Sequence, residues 1–213
     1  MDRSRVALVI PAFNEAATIS TVVRVASKYG QPIVVNDNSQ DDTAKIAEAA
    51  GAIVVNHAVN QGYDGALNSG FTEAARLRFD YIITLDADGQ HDPALLEKFI
   101  AAMDDGASVV LGVRSSKARL TEHIFALYAR IRYGVLDPLC GMKAYRRDLY
   151  EHVGHFDSYR SIGTELMLRA VSSGAPFKQV HFKVRDRADA PRFGRLLSAN
   201  LKILRALFIW TFK

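Results

Sequence analysis

Two carboxylates, Asp86 and Asp88, stand two residues apart, directly after the apolar run Tyr81-Ile82-Ile83. A strand that ends there would carry both acids to the edge of a sheet. Carboxylate oxygens suit Mg²⁺ or Mn²⁺, which proteins hold through one or two carboxylates together with substrate phosphates. The segment therefore predicts a metal site for a nucleotide diphosphate. The same tripeptide also occurs in solvated turns, so it does not decide the matter alone.

Apolar runs rich in β-branched residues alternate with helical segments through the first half of the chain. Strands are predicted at residues 6–10, 33–35, 52–55, 81–85 and 109–111, and helices at 15–28, 42–50, 65–78 and 93–103. This alternation predicts βαβ units and an α/β fold with a mainly parallel sheet flanked by helices. Ligands bind beyond the carboxyl ends of such strands, where residues 11–15, 36–42 and 86–92 fall. Residues 115–147 are expected to be less regular and to cover the site.

Composition limits the possibilities further. The 213 residues suffice for one domain with a substantial core, and the net charge of +4 fits an anionic substrate or an anionic membrane surface. A single cysteine, Cys140, excludes an internal disulfide and fits a reducing compartment. No secretory leader is expected in the first 20 residues. Nucleic-acid binding is not expected, because the basic residues accompany a metal motif and no nucleic-acid module is recognisable.

Residues 192–213 have a different pattern from the rest of the chain. On a helical wheel most of the large apolar residues share one broad face, and the basic residues lie opposite. Charges interrupt the segment too often for the roughly 20 apolar residues of a membrane span. A helix in the membrane interface and a helix packed on the domain or on a partner subunit both remain open. The chain is therefore divided into a main domain at 1–191 and an amphipathic basic helix at 192–213.

Six ordered motifs together resemble the family 2 glycosyltransferases of the GT-A fold, and within them the polyprenyl-phosphate sugar transferases. In one-letter code they are IPAFNE at 10–15, VVNDNSQDDT at 34–43, NQGYDGA at 60–66, DADGQ at 86–90, DPLCGMKAYRR at 137–147 and TELMLRA at 164–170. The resemblance covers residues 5–185. It implies a GT-A fold and an inverting, metal-dependent transfer from a nucleotide-diphosphate sugar.

The resemblance also implies roles for individual residues on the donor side. Those expected in the nucleotide pocket are Pro11, Ala12, Glu15, Asp37 and Asp86. Asp37 would accept a hydrogen bond from the base or ribose, as carboxylates do from imide N–H groups and hydroxyls. Those expected at the metal are Asp86, Asp88 and Gln90. Asp86 would approach the ribose, or the metal through a water molecule. A turn or cap role for Asp37, and a helix-dipole role for Glu15, remain open.

On the acceptor side, the basic residues that match phosphate-binding positions are Arg114, Lys143 and Arg185. A lipid phosphate is already anionic at neutral pH and needs cations, whereas a sugar hydroxyl needs a base. Hydroxyl-transferring relatives carry Glu-Asp where Ile162-Gly163-Thr164 stands here, which favours a phosphate acceptor. Glu165, four residues before Arg169, would be a base or an ion-pair partner of that arginine.

The first hypothesis is a glycosyltransferase that uses Mg²⁺ or Mn²⁺ to move a sugar from a UDP- or GDP-sugar to polyprenyl phosphate. It would work at the cytoplasmic face of a membrane, in peripheral contact with it, and a homo-oligomer is possible. The alternative acceptor is a sugar hydroxyl of a glycolipid or polysaccharide precursor. A non-catalytic nucleotide-sugar-binding protein is the third hypothesis. A sugar nucleotidyltransferase is disfavoured, because no glycine-rich, arginine-bearing loop follows the first predicted strand.

Overall fold

The computed structural model describes residues 2–89, 95–115, 119–183 and 196–211. The strands are β1 (Val6–Ala12), β2 (Gln31–Asn36), β3 (Ile53–Asn56), β4 (Tyr81–Thr84), β5 (Val109–Arg114), β6 (Lys143–Arg146) and β7 (Phe177–Phe182). The α-helices are α1 (Ile19–Ala26), α2 (Thr43–Ala49), α3 (Gly62–Arg76), α4 (Leu95–Asp104), α5 (Leu120–Tyr133), α6 (Arg147–Val153), α7 (Glu165–Ser172) and α8 (Leu196–Thr211).

All seven strands join one sheet in the order β3-β2-β1-β4-β6-β5-β7. The pairs β1–β2, β2–β3, β1–β4 and β5–β7 are parallel, and β6 is antiparallel to both of its neighbours. The predicted α/β fold with a mainly parallel sheet is therefore confirmed. The antiparallel insertion of β6 between β4 and β5 was not predicted.

The sheet topology gathers the loops at one edge. The carboxyl ends of β1, β2, β3, β4 and β5 point the same way, and β6, which runs in the opposite direction, begins at that edge with Lys143. The segments predicted to carry the chemistry follow β1, β2 and β4. Their expected meeting at the carboxyl edge is thus confirmed for the described residues.

The first predicted helix begins later than expected, at Ile19 instead of residue 15. Asn14 adopts the left-handed conformation with φ 54°. Its backbone N–H donates to Ser39 Oγ at 2.9 Å, and the N–H of Ala16 donates to Asp41 Oδ2 at 3.1 Å. These bonds hold the segment in a loop against the loop after β2, so the helical periodicity there is overridden by tertiary contacts.

The expectation that residues 115–147 are less regular was wrong for most of that segment. It contains the 14-residue helix α5 and the strand β6. Phe125 and Ala129 of α5 are buried while Ile124, Leu127 and Ile131 are exposed. Because apolar residues occupy both faces of the helix, no single apolar stripe was visible in the sequence.

The core lies on both faces of the sheet. Alternate residues of β1 point to opposite sides, so that Leu8 joins one cluster with α1 and α4, and Val9 joins the other with α3, α5 and α7. A side chain at Gly70 of α3 would collide with Val9 and come within 3.2 Å of Val35 Cγ2. The glycine therefore lets α3 lie directly on β1 and β2.

Helix α8 packs beside α5. Thr121 Oγ1 donates to Asn200 Oδ1 at 2.8 Å, and the hydroxyl of Tyr128 donates to the carbonyl of Trp210. Ile203, Ala206 and Trp210 are buried in the second core cluster. Among the described residues, no helix combines the length and apolar character that a membrane crossing requires.

Candidate active site

The carboxylate of Asp37 lies immediately beyond β2 and is almost fully buried. Its Oδ1 accepts hydrogen bonds from the backbone N–H of Gln61 at 2.8 Å and from His57 Nδ1 at 2.7 Å, and its Oδ2 accepts one from the N–H of Gly62 at 2.8 Å. Since a carboxylate offers about four acceptor positions, one position remains on Oδ2. The acid therefore holds the start of α3 and keeps limited capacity for a ligand.

His57 was missed by the sequence analysis. It follows β3 at the same edge and its Nε2 lies 2.8 Å from Ser69 Oγ on α3. The signal that could have identified it is its position directly after a predicted strand of the parallel sheet. The ring connects Asp37 to α3 and fixes the orientation of the carboxylate.

Three other residues predicted to line the nucleotide pocket lie on and just after β1. Pro11 and Ala12 end that strand, and Ala12 is buried. Glu15 is also buried, and its backbone N–H donates to Thr43 Oγ1 at 2.7 Å. Thr18 Oγ1 donates to Glu15 Oε2 at 3.0 Å. The structure thus brings Pro11, Ala12 and Glu15 to the same edge as Asp37.

Asp86 and Asp88 follow β4, in a loop where Gly89 adopts φ 73°. A side-chain Cβ at Gly141 would stand 2.7 Å from Asp86 Oδ2 and 3.0 Å from Oδ1. The glycine is therefore what allows the carboxylate of Asp86 to reach the segment that precedes β6. Thr84 Oγ1 donates to the carbonyl of Gly141 at 2.5 Å and holds the two segments together.

These two carboxylates fit a divalent cation that shares its coordination with a diphosphate. No group of three or more His, Cys, Asp or Glu side chains suited to a metal occurs in the part of the chain that the structure describes. Mg²⁺ commonly binds through one or two carboxylates and completes its shell with substrate phosphates and water. Gln90, the third predicted ligand, lies outside the described residues.

Arg114 ends β5 and makes a two-pronged ion pair with the buried Asp137, with Nε 2.8 Å from Oδ2 and one terminal nitrogen 2.9 Å from Oδ1. Its guanidinium also lies 3.2 Å from Glu122 Oε2. Burial alone would lower the pKa of Arg114, but the bonds and charge of Asp137 raise it above its ordinary value. The predicted phosphate-binding arginine is therefore already paired with acids of its own chain. Arg185 lies outside the described residues.

Lys143 begins β6 and only 3% of its surface is exposed. Its Nζ donates to the carbonyl of Gly163 at 2.9 Å, and burial lowers the pKa of this ammonium group. Gly163 belongs to a loop in which Arg160 and Ile162 also have positive φ. Lys143 therefore lies beneath that loop and supports it.

Asp157 organises the same loop. Its carboxylate accepts the backbone N–H groups of Tyr159, Ser161 and Gly163 at 3.0 to 3.1 Å. Asn68 of α3 donates to the Asp157 carbonyl at 2.7 Å and accepts its N–H at 3.2 Å. The loop that carries Ile162-Gly163-Thr164 is thus fixed to α3 by side-chain hydrogen bonds.

Asp64, in the first turn of α3, was also missed. Its Oδ1 is buried and has no hydrogen-bond partner among the described residues. Burial, with the nearby charge of Asp157, raises the pKa of Asp64 from 3.8 to about 6, against the lowering effect of the Ile162 and Gly163 N–H groups and of Lys143. Its signal in the sequence was an acid inside the glycine-containing motif at 60–66. A carboxyl group that titrates near neutral pH has the properties of a general base.

Glu165 begins α7 and its side chain is fully buried. Its Oε1 accepts from His155 Nε2 at 2.9 Å and from Arg169 Nε at 2.8 Å, and its Oε2 accepts from the N–H and hydroxyl of Ser158 at 2.6 and 2.8 Å. Burial raises the pKa of Glu165, but these hydrogen bonds outweigh it and the pKa is lowered. The ion-pair interpretation with Arg169 is confirmed, and all four acceptor positions of the carboxylate are occupied.

The comparisons with known proteins agree with this geometry. The sequence model of Glycosyl transferase family 2 matches residues 7–154. The chain belongs to this family. Its sheet order and its likeness to solved glycosyltransferases identify the GT-A fold, as the resemblance implied.

Three similar proteins illustrate the range of this family 2 enzyme's relatives. A dolichyl-phosphate hexose transferase of Haloferax volcanii is 31% identical over 85% of the chain and 83% of the relative. A UDP-N-acetylglucosamine–dolichyl-phosphate N-acetylglucosaminyltransferase of Methanococcus voltae is 29% identical over 66% and 68%. The crystal structure of glucosyl-3-phosphoglycerate synthase from Mycobacterium tuberculosis with Mg²⁺ and uridine diphosphate matches with a TM-score of 0.77 and 25% identity, over 96% of this chain and 78% of that one.

Proposed function

We propose that this glycosyltransferase moves a sugar, with inversion, from a UDP- or GDP-sugar to a polyprenyl phosphate in a reaction that requires Mg²⁺ or Mn²⁺. The observation that carries the choice of acceptor is the full occupation of Glu165 by four donors of its own chain. That carboxylate has no acceptor position left for a substrate proton. A phosphate acceptor is anionic at neutral pH and needs no base.

The donor is assigned to the carboxyl edge of β1, β2 and β4. The nucleotide pocket would be lined by Pro11, Ala12, Glu15, Asp37 and Asp86. The remaining acceptor position of Asp37 Oδ2 would take an N–H or hydroxyl of the nucleoside. Because Asp37 is held from three sides, the chain would offer this acceptor without reorganising.

The metal is assigned to Asp86, Asp88 and Gln90. A divalent ion bound there would neutralise charge on the departing nucleoside diphosphate. Two features support this assignment: the lack of a side chain at Gly141 leaves room for the Asp86 carboxylate, and the turn at Gly89 directly follows Asp88. The solved structure with Mg²⁺ and uridine diphosphate supports divalent-metal use within the fold.

The acceptor phosphate is assigned to the cations on the β5–β6 side. Lys143 uses one of its three N–H donors on Gly163, and Arg114 is fixed by Asp137. Together with Arg185 they would hold the phosphate oxygens beside the anomeric carbon. The names of the Haloferax and Methanococcus relatives, both dolichyl-phosphate transferases, support this acceptor class.

A second candidate is transfer to a sugar hydroxyl, and Asp64 favours it. Its pKa of about 6 suits a general base. The backbone N–H groups of Ile162 and Gly163 lower this pKa by hydrogen bonding, and they belong to the segment where hydroxyl-transferring relatives carry Glu-Asp. The name of the synthase reported above likewise refers to a glucosylated small acid, phosphoglycerate, and not to a lipid phosphate. In this case Asp64 would take the hydroxyl proton.

A lipid acceptor also means that the enzyme works at a membrane. We assign it to peripheral contact with the cytoplasmic face, which is one of the two interpretations left open for the amphipathic basic segment at 192–213.

The test is a transfer assay with polyprenyl phosphate in vesicles and a panel of UDP- and GDP-sugars, with chelator and then with Mg²⁺ or Mn²⁺ restored. The expected product is a lipid-phosphate sugar that mild acid releases, formed only when metal is present. A product stable to mild acid, formed on a glycolipid hydroxyl, would favour the second candidate. Undiminished turnover in chelator would exclude the metal assignment.

A further inference from the structure

Exposed apolar side chains are concentrated on two adjacent helices. Nine large apolar side chains are exposed among the described residues, and seven of these lie on α5 and α8. We call these seven the α5–α8 face: Leu120, Ile124, Leu127 and Ile131 of α5, and Leu201, Leu204 and Phe208 of α8. Exposed apolar side chains concentrated on neighbouring helices in this way mark an interaction site.

The side chains form one stripe on each helix. On α5 they recur at intervals of four, three and four residues and are 44% to 79% exposed. On α8 they recur at intervals of three and four and are 43% to 65% exposed. These are helical spacings, so each stripe faces outward along its helix. The opposite side of α8 carries the buried Ile203, Ala206 and Trp210, so the helix has an inner and an outer apolar side.

The exposed charges that the two helices themselves carry have one sign. Arg130, Arg132, Lys202 and Arg205 are exposed on the two helices. The only acid in either helix is Glu122, which is buried and paired with Arg114 and Arg119. The two helices therefore combine exposed apolar and cationic groups and expose no carboxylate of their own.

We propose that the α5–α8 face rests in the interface of a bilayer that contains anionic lipid. Apolar side chains of such a helix enter the boundary between headgroups and acyl chains, and lysines and arginines beside them meet anionic headgroups. A second copy of the chain fits this face less well. In a two-fold contact the same patches meet, so the cations of both copies would approach one another with no exposed acid of either helix between them.

The position of α5 connects this surface to the reaction. Arg114 ends β5 at the carboxyl edge of the sheet, and α5 begins at Leu120. Glu122 of α5 is joined to Arg114, so the amino end of the helix is fixed at that edge. Contact through α5 would hold the carboxyl edge close to the headgroup level, where a lipid-linked phosphate lies. This link to the lipid-linked phosphate rests on the proposed function, whereas the binding of the α5–α8 face to a bilayer does not.

The experiment measures co-sedimentation of the purified chain with phosphatidylcholine vesicles, with and without phosphatidylglycerol, in the absence of donor and acceptor. The apolar variant is the double substitution Leu127→Gln and Phe208→Gln, and the charge variant is Arg130→Gln with Arg205→Gln. Point variants are preferred to removal of α8, because α8 buries Ile203, Ala206 and Trp210. The matched control is Val59→Gln, since Val59 is 65% exposed, as Phe208 is, and lies on neither helix.

Wild type and Val59→Gln should bind anionic vesicles equally. The apolar variant should bind at least about tenfold more weakly, and the charge variant should lose about fivefold for each cation removed. High salt should reduce the difference in vesicle binding between wild type and the charge variant more than the difference between wild type and the apolar variant. Unchanged melting temperatures of the variants would confirm that their folds are intact.

Three outcomes would overturn the inference. The first is binding of the apolar variant that equals that of wild type, and the second is wild-type binding that is the same with and without anionic lipid. The third is a wild-type dimer in sedimentation equilibrium that the apolar variant converts to monomer while vesicle binding stays unchanged. Absence of sugar transfer by a chain that still binds vesicles would contradict the proposed function and leave the lipid face intact.

Discussion

The imidazole of His57 and the carboxylate of Asp37 are joined by a hydrogen bond of 2.7 Å in a buried position between the sheet and α3. The same carboxylate accepts the N–H of Gly62, the first residue of α3. One side chain at the end of β2 thus sets both the start of a helix and the orientation of the acceptor assigned to the nucleoside.

Replacement of Asp37 by Asn should destabilise the protein. An amide presents one oxygen where three donors converge, so at least one buried donor loses its partner, at a cost of about 1–3 kcal/mol. Denaturant unfolding would measure the change. Asp42→Asn is the control, because the Asp42 carboxylate is exposed and pairs with the surface Lys45. Equal stability of Asp37→Asn and wild type would show that these hydrogen bonds to the Asp37 carboxylate do not stabilise the fold.

Asp88→Asn should abolish the metal-dependent binding of nucleoside diphosphates without unfolding the chain. The loss of one of the two described carboxylates removes charge and a ligand from a site that has few protein ligands. A thermal-shift panel of UDP and GDP, each with and without Mn²⁺, would show it as a lost increase in melting temperature. Asp104→Asn, at the exposed end of α4, should retain the full increase. A metal-dependent shift of wild-type size in Asp88→Asn would refute the assignment.

Gly141→Ala should weaken metal-dependent donor binding while it changes stability little. The added methyl would stand 2.7 Å from Asp86 Oδ2, and the end of the Asp86 side chain can move away. A double-mutant cycle with Asp86→Ala would isolate this effect. In the Asp86→Ala background the added methyl should cost no further binding. Additive losses would mean that Gly141 acts through something other than Asp86.

Asp64→Asn should stabilise the protein at neutral pH. The pKa of Asp64 is raised from 3.8 to about 6, so the folded wild type binds more protons than the unfolded chain between these values. Its stability is therefore complete below pH 3.8 and falls as the pH rises through 6. The Asn variant escapes this loss and should gain about 1–2 kcal/mol above pH 7, with partial solvent access reducing the gain.

Unfolding curves of the Asp64 variant at several pH values would show the difference growing with pH. A constant difference would contradict the raised pKa. If the acceptor is a hydroxyl, this variant should also lose turnover, whereas with a phosphate acceptor turnover should remain.

Glu165→Gln should have the opposite dependence on pH. The pKa of Glu165 is lowered, so its stabilising effect is present above its ordinary value of 4.5 and is lost as the pH falls through the lowered value. At pH 7 the variant should lose about 2–3 kcal/mol, since Arg169, His155 and Ser158 keep only a neutral partner. Glu151→Gln, at an exposed and weakly paired site, is the control. A fully stable variant that has lost turnover would restore Glu165 as a base.

The sequence predicted the strands that follow a repeated apolar pattern. It did not predict elements whose position depends on pairing between segments distant in the chain. The five strands predicted from apolar runs all exist, because burial on both faces of a parallel sheet requires such runs. β6 and β7 were not predicted. β6 has the sequence Lys-Ala-Tyr-Arg, and its place between β4 and β5 depends on pairing across residues distant in the chain.

The candidate site shows the same division. The motif positions predicted which loops meet, and Asp37, Asp86 and Lys143 do come to the same edge. The partners of these side chains could not be predicted, since Asp137 opposite Arg114 and Ser158 opposite Glu165 are set by tertiary packing. Asp64 is the clearest case, because its raised pKa arises from burial and from Asp157, which is far away in sequence.

The burial of Ile203, Ala206 and Trp210 in the cluster that contains Ala7 and Val9 has a consequence for biosynthesis. During synthesis the first strand emerges from the ribosome long before the residues that cover this side of the sheet emerge. Until residues 203–210 emerge, the nascent chain presents an incomplete apolar surface, a species prone to aggregation or to capture by chaperones. If α8 meets lipid as soon as it emerges, completion of the core and arrival at the membrane become a single event.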